Sequence, residues 1–517
     1  MFSIKIKVPE TITEELNGRL LFIVDKPNKK KDKKLFNRIS LNDGCPFFGA
    51  TFYGLMPGDE IDLLEQANHI LGWPFKFEEI PHKKLEVQAF FIKYSKYERS
   101  DGHTVYGMED HGGGGDFKEN PYNLYSDVLT VNYGKQEISL TLDKEIELPY
   151  ELKEGMVTQQ GNYEDKENIK YVKIHSKLLS DFWNHDMYFG ANVLLPRNYD
   201  TSKKYPILYW QGHWPKDRVP LRYGHDEESD KEFTEFWDNE APEMIIASFR
   251  DANIFYDDSY HVNSANLGPY GDALVTEAIP YIEEMFGGYK ESGARALVGG
   301  STGGWESMAL QLFYPKFFGG TWPFCPDGMD FHGFQLIDLY NDDNAYYLSH
   351  EWCKVERPAY RDTRGNVIWT VKDENDYELA LGGDKAHGQG QWGIWEAVYS
   401  PVGEDGYPMN VFDPFTGKIN RKVVKYWHDN YDLNVYLKKH HKEIMKDLKG
   451  KIHLRGGDMD NFYLNLSQWD ITETLEKYKY DGYSVTFKKG GHSSHIASKD
   501  LILEIADYFK KQGYLVD

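Results

Sequence analysis

Cysteine is almost missing from this chain: three residues, Cys45, Cys325 and Cys353, among 517. Three thiols cannot all pair, and they are too sparse for a disulfide framework or a cysteine-based zinc site. Long apolar runs are missing too. No stretch approaches the roughly eighteen apolar residues that a membrane-spanning helix needs, so no membrane insertion is expected. Positive charge is in deficit, with 59 Lys and Arg against 82 Asp and Glu and a net charge of −23. So acidic a chain repels phosphate backbones, which argues against nucleic acid as a partner. The one basic run, "KPNKKKDKKLF" from Lys26 to Phe36, reads as a solvated loop between strands. The opening "MFSIKIKVPE" alternates as a strand does and lacks the apolar core of a signal peptide. A cytoplasmic protein is expected if the chain is complete, and an exported one if a leader has been removed.

Aromatic residues, by contrast, are plentiful: 37 Tyr and 13 Trp. Such rings mostly fill cores, and some line sites for rings or sugars. The length suggests about two to four domains. Residues 1–150 read as strands and turns, among them "KLEVQAFFIKY" (Lys84 to Tyr94) and a pair joined at "NYGK" within Asp127 to Leu142. An N-terminal β-sandwich-like domain is expected there. Its "EDHGGGGDFKENP" (Glu109 to Pro121) is followed by neither a helix pattern nor Gly-Lys-Ser/Thr, so it reads as a flexible loop rather than a phosphate cradle.

Residues 151–517 follow a different grammar. "YPILYWQGH", "MIIASFRD", "RALVGGS" and "GGTWPFCPD" are short apolar strands. Between them lies "DALVTEAIPYIEEMF", with Leu274, Ala278, Tyr281, Ile282 and Met285 on one helical stripe. Strands alternating with helices predict an α/β domain with a mostly parallel central sheet. The alternation lapses over about residues 328–449, which read as a large insertion, a lid or cap, before it resumes at "GKIHLRGGDMDN".

One stretch carries chemistry. "LVGGSTGGWESMALQLFYP" (Leu297 to Pro315) holds Gly-x-Ser-x-Gly centred on Ser301, between an apolar strand and an amphipathic helix. A serine at so sharp a turn presents its hydroxyl above the sheet edge, and the flanking glycines leave room for strand and helix to close up. The hydroxyl needs a base, and the base an orienting acid, in the chain order Ser, Asp or Glu, His. After one late strand come Asp458 and Asp460; after the next come His492 and His495. Asp460 and His492 are the preferred acid and base, with Asp458 and His495 as alternatives. The oxyanion hole should use the backbone N–H of Thr302 and a second donor after "PILYWQGHWP", His213 or Trp214. No metal or organic cofactor is required.

These stretches, with "GGDMDNFYLN" and "KKGGHSSH", resemble an esterase family of α/β-hydrolases that includes feruloyl esterases, S-formylglutathione hydrolase (esterase D) and enterochelin esterase. The likeness covers about residues 170–327 and 450–517. It implies an α/β-hydrolase fold and a serine carboxylic-ester hydrolase acting on a small-molecule or carbohydrate-linked ester, with feruloyl or acetyl esters of plant carbohydrate as the expected substrates. Thr302 stands where these esterases often carry Met, and "HSSH" replaces His followed by Asp and an aromatic. A serine peptidase or acyltransferase on the same fold, or an inactive binding protein, are the alternatives. Trp392 and Trp395, at the centre of the insertion, are candidates to contact the substrate.

Overall fold

The computed structural model describes residues 2–28, 33–212, 223–224, 228–255, 259–350, 352–493 and 499–516. In the N-terminal part the alternation of the opening segment becomes a strand. Ile4 and Ile6 are buried, while Lys5 and Lys7 point outward and pair with Glu60. This strand, Ile4–Lys7, lies between Ile138–Thr141 and Glu60–Asp62 in a three-stranded sheet. A seven-stranded sheet is built around Leu16–Asp25, flanked by Phe47–Leu55 and Lys84–Lys93. One of its faces, with Leu20, Phe22, Val87 and Phe91, shares a hydrophobic cluster with Ile4, Ile6, Ile138 and Leu140 of the smaller sheet. The pair joined at "NYGK" is not a hairpin. Leu129–Asn132 pairs with Lys84–Lys93, and Ile138–Thr141 crosses to the other sheet. Val131 and Leu140 thereby both enter the cluster between the sheets. Nor is the glycine run a loose loop. Buried Asp110 accepts the N–H groups of Gly112 (3.2 Å) and Gly114 (2.6 Å), winding the segment around one carboxylate.

The second part is organised by an eight-stranded mixed sheet. Its strands are β1 (Ile169–Ser176), β2 (Met187–Leu194), β3 (Ile207–Gln211), β4 (Ile245–Arg250), β5 (Arg295–Gly300), β6 (Gly320–Phe324), β7 (His453–Gly457) and β8 (Ser484–Lys488). The spatial order is β1-β2-β4-β3-β5-β6-β7-β8. The pairs β1–β2 and β2–β4 are antiparallel, and those from β4 through β8 are parallel. All the loops after the parallel strands therefore open on one edge, where such sheets bind ligands.

The predicted stripe on "DALVTEAIPYIEEMF" needs correction. Leu274, Ala278 and Ile282 are buried, but Tyr281 and Met285 are exposed and Phe286 is inside. The segment Leu274–Ala278 is wound as a π-helix. Its wider turn rotates everything downstream, so a strict 3.6-residue period fails beyond it.

The insertion leaves the sheet after β6 and returns at β7. It has a small hairpin (Pro358–Arg361 with Val367–Thr370) and, among its helices, α2 (Val371–Gly382) and α3 (Gln391–Tyr399). Buried carboxyl groups staple it together. Glu378 on α2 accepts the Trp392 and Gly393 N–H groups (3.1 and 2.7 Å) at the start of α3. Glu396 accepts Val411 N–H (2.7 Å) and Asn410 Nδ2 (2.8 Å). The N-terminal part grips the same element. Arg19 Nη2 donates to the Leu379 and Ala380 carbonyls (2.8 and 2.9 Å) at the end of α2, and Ala380 and Leu381 enter the cluster on the second face of the large N-terminal sheet.

Burial pushes Glu378 and Glu396 from the usual 4.5 up to about 8 each. The folded protein thus holds protons that the unfolded chain has released by neutral pH. Stability from these groups is full below about pH 4.5 and is lost as the pH rises toward 8. Each pH unit of separation between folded and unfolded values is worth about 1.4 kcal/mol per group. Melting temperatures measured between pH 5 and 8.5 should fall with rising pH, and Glu378→Gln should flatten the slope. An unchanged slope in the folded variant would show that Glu378 ionises normally. Among the described residues no helix is long and apolar enough to cross a membrane.

Candidate active site

Ser301 is the first residue after β5 and the N-cap of α1 (Thr302–Phe313). Its backbone has φ 56° and ψ −125°, a conformation costly for any residue with a side chain and found where a site holds it in place. The turn closes because its glycines lack Cβ atoms. A Cβ on Gly303 would stand 2.3 Å from the Gln211 carbonyl oxygen at the end of β3, and one on Gly299 would stand 2.3 Å from the Gly303 carbonyl oxygen. Thr302 N–H belongs to the first turn of α1, whose N–H groups have no acceptor within the helix and sit at the positive end of its dipole.

The candidate acid and base lie on the loops after β7 and β8. His492 Nδ1 lies 2.8 Å from Asp460 Oδ2. Asp460 is fully buried, and its other oxygen accepts Phe462 N–H at 2.9 Å, which leaves Oδ2 directed at the imidazole. Burial by itself would depress the His492 pKa. The hydrogen bond and charge of Asp460, with the charge of Asp327 added, outweigh it and raise the pKa above 6.5. Asn461 Oδ1 accepts the His492 N–H at 2.8 Å, and the Phe462 ring stands edge-on to the imidazole. Asp458 is exposed and accepts Gly490 N–H at 3.0 Å, so it braces the histidine loop instead of touching the ring. His213, Trp214 and His495 lie outside the described residues.

The structure adds a carboxylate that the Ser-Asp-His pattern did not single out. Asp327, just past β6, accepts the Ser301 hydroxyl at 3.3 Å through Oδ1. Its Oδ2 accepts Tyr260 (3.0 Å), Thr302 Oγ1 (3.1 Å), Gln391 Nε2 (3.0 Å) and Trp395 Nε1 (3.2 Å). The insertion therefore reaches the serine turn directly through α3. Tyr260 and His261 both have positive φ, 57° and 48°. Beneath the turn, buried His261 is flanked by Asp251 (3.3 Å) and by Glu306 of α1 (3.4 Å), and it also bonds Gln211. Burial opposes a charge on His261, but the two carboxylates raise its pKa well above the usual value. This ionic core ties β3, α1 and the loop after β4 together under Ser301. A position after a sheet strand was the only signal in the sequence for Asp327. Tyr260, His261 and Gln391 had none.

A cavity of about 40 Å³ opens at Ser301, lined also by Asp327, Gln335, Glu374, Gln391, Trp395, Phe462 and Leu464. Of the two candidate tryptophans, Trp395 lines it. Trp392 does not: it packs between Trp395, Phe334 and Phe412 in the core of the insertion. Residues three apart on α3 share a face, but the cavity reaches only the nearer ring. Trp395→Ala should thus change kcat/KM unequally between small and bulky esters, whereas Trp392→Ala should cost ~3–5 kcal/mol of stability with specificity kept. Denaturant melts and a two-substrate comparison would reverse these assignments if the two effects were exchanged.

One further grouping concerns metals. Ligand atoms of Cys325, Asp460 and His492 lie within 4.8 Å of one another. Thiol, carboxylate and imidazole are zinc-type donors, but here two of the three already bond each other.

Residues 183–326 match the family model described as "Putative esterase". Over this segment the chain is similar to that family. The matched segment runs from just before β2 to just past β6, ending one residue short of Asp327. A curated relative, the uncharacterized protein YjcH of Bacillus subtilis, is 22% identical over 222 residues, covering 41% of this chain and 88% of its own. Among solved structures, a ferulic acid esterase is similar at 16% identity with a TM-score of 0.40, covering 66% of this chain and 99% of its own. An S-formylglutathione hydrolase from Staphylococcus aureus is similar at 13% identity with a TM-score of 0.33, covering 66% of this chain and 99% of its own.

Proposed function

We propose that this chain is an ester hydrolase that works by acyl transfer to Ser301, with His492 as base and Asp460 as the acid that orients it. The observation that carries the reading is the 2.8 Å contact between His492 and buried Asp460 at the same sheet edge as Ser301 in its strained turn. Ser301 Oγ attacks the ester carbonyl as His492 takes its proton. Asp460 fixes the imidazole tautomer and stabilises the imidazolium. The Thr302 N–H, with a second donor from the loop after β3 (His213 or Trp214), holds the tetrahedral oxyanion. Such donors are each worth ~2.7–4 kcal/mol in the transition state. His492 then returns the proton to the departing alcohol, and water repeats the sequence on the acyl-enzyme. Asp327 holds the resting Ser301 hydroxyl and ties Thr302 to the insertion. It is a positioning residue of this site.

The N-terminal 150 residues are read as a β-sandwich module whose second task is to seat α2 of the insertion through Arg19. The insertion serves as a cap that completes the pocket. A fluorophosphonate probe tests the reading cheaply: it should label wild-type protein at Ser301, and failure to label folded protein would remove the serine mechanism. A panel of acetyl, feruloyl and aryl esters with a peptide control then separates esterase from peptidase.

A further inference from the structure

The polar atoms that face the cavity at Ser301 are unevenly matched. Glu374 on α2 and Gln335 are both more than nine-tenths buried. Glu374 Oε1 accepts the Trp369 indole N–H at 2.8 Å. Its Oε2 and the Oε1 of Gln335 have no hydrogen-bond partner; Trp392 and Gln335 approach the carboxyl without completing a bond. Both side chains line the same cavity as Ser301 and Asp327. What this cavity lacks is a cationic donor: the Ser301 hydroxyl, Gln391 Nε2 and Trp395 Nε1 are already spent on Asp327. Among the described residues its lining holds two carboxyl groups and no Lys, Arg or His.

A buried acceptor without a donor is costly, and a buried carboxylate without a cation more so. Burial pushes Glu374 up to about 7, which records the cost of leaving its charge unmatched. The missing element is one that a substrate could bring. At about 40 Å³ the cavity has room for roughly three water-sized centres, and so for a short group. Trp395 and Phe462 add aromatic walls, which tolerate a cation.

We infer that the cavity at Ser301 is an acyl subsite for a short chain ending in a primary ammonium group, held by Glu374 and Gln335 with Asp327 nearby, so that small aminoacyl esters are preferred substrates. The inference rests on the ester-hydrolase reading above. The reaction is balanced as any hydrolysis: Ser301 displaces the alcohol, which leaves with the proton carried by His492, and water then releases the free amino acid.

The test is a series of benzyl esters sharing one alcohol: glycinate, acetate and ferulate. Glycinate should exceed acetate in kcat/KM by roughly 10- to 100-fold, the range of one charge-assisted hydrogen bond. Glu374→Gln, which keeps shape and removes charge, should bring that ratio down toward unity. Should the variant fold poorly, competitive inhibition of the wild type decides: glycinamide should bind better than acetamide. Serine labelling by fluorophosphonate, with acetate or ferulate cleaved as well as glycinate, would overturn this inference and leave the esterase reading standing. No labelling and no turnover of any ester would overturn both.

Discussion

Ser301→Ala should lose at least ~10³-fold in ester turnover while melting as the wild type does, because a nucleophile that works as one unit with its base and acid leaves little when removed alone. The expectation comes from the strained Ser301 backbone and from the absent Cβ atoms of Gly299 and Gly303, which let β5, α1 and β3 meet there. Alanine keeps the Cβ and therefore the same backbone strain, and loses only the hydroxyl's bond to Asp327, so stability should change by no more than about 1 kcal/mol. Fluorophosphonate labelling should vanish in parallel. A folded Ser301→Ala protein that still cleaves esters near the wild-type rate would assign the nucleophile elsewhere.

The second large effect separates neighbours in the sequence. His492→Ala should abolish turnover, and Asp460→Asn should lower kcat by ~10⁴-fold, since an amide facing Nδ1 favours the wrong tautomer. Asp458→Asn should be mild, because its partner is the Gly490 N–H and not the imidazole. The pH profile supplies an independent readout. In the proposed mechanism catalysis needs neutral His492, and Asp460 with Asp327 raises its pKa above 6.5. The acidic limb of kcat/KM should therefore lie above pH 6.5 in the wild type. It should move to lower pH in Asp327→Asn, where one of the charges favouring the imidazolium is gone. A limb that stays put in Asp327→Asn would mean that Asp327 exerts no charge on the base. Equal losses in Asp458→Asn and Asp460→Asn would mean that the acid is not yet identified.

Much of this could be read from local pattern. Apolar runs of strand length, each followed by a turn, announced the parallel strands, because a strand buried on both faces has no polar side to show. The Gly-x-Ser-x-Gly turn was legible because a close approach of strand and helix leaves only glycine as a solution. That Ser301, Asp460 and His492 stand at one edge of the sheet was legible because the loops after successive parallel strands return to that edge.

The choice between Asp458 and Asp460 was argued from loop spacing, but the partners themselves come from the fold: two residues along one loop, one carboxylate braces a glycine turn in solvent and the other is buried against an imidazole. The π turn at Leu274–Ala278 was hidden because its extra residue belongs to the packing and not to any composition rule. Asp327, Gln335, Glu374 and Gln391 were hidden for a stronger reason. They sit on separate elements, past β6, in a buried turn and on two helices of the insertion, and nothing in the spacing of one element refers to another. In sequence Asp327 and Glu374 are two among 82 acidic residues. Only the packing of the insertion over the sheet edge, with α2 seated by Arg19, turns them into a walled pocket beside the serine. The chain's local preferences settle which elements form and where a nucleophile can stand. The chemistry of the pocket around it is settled by burial, and burial is a property of the assembled fold.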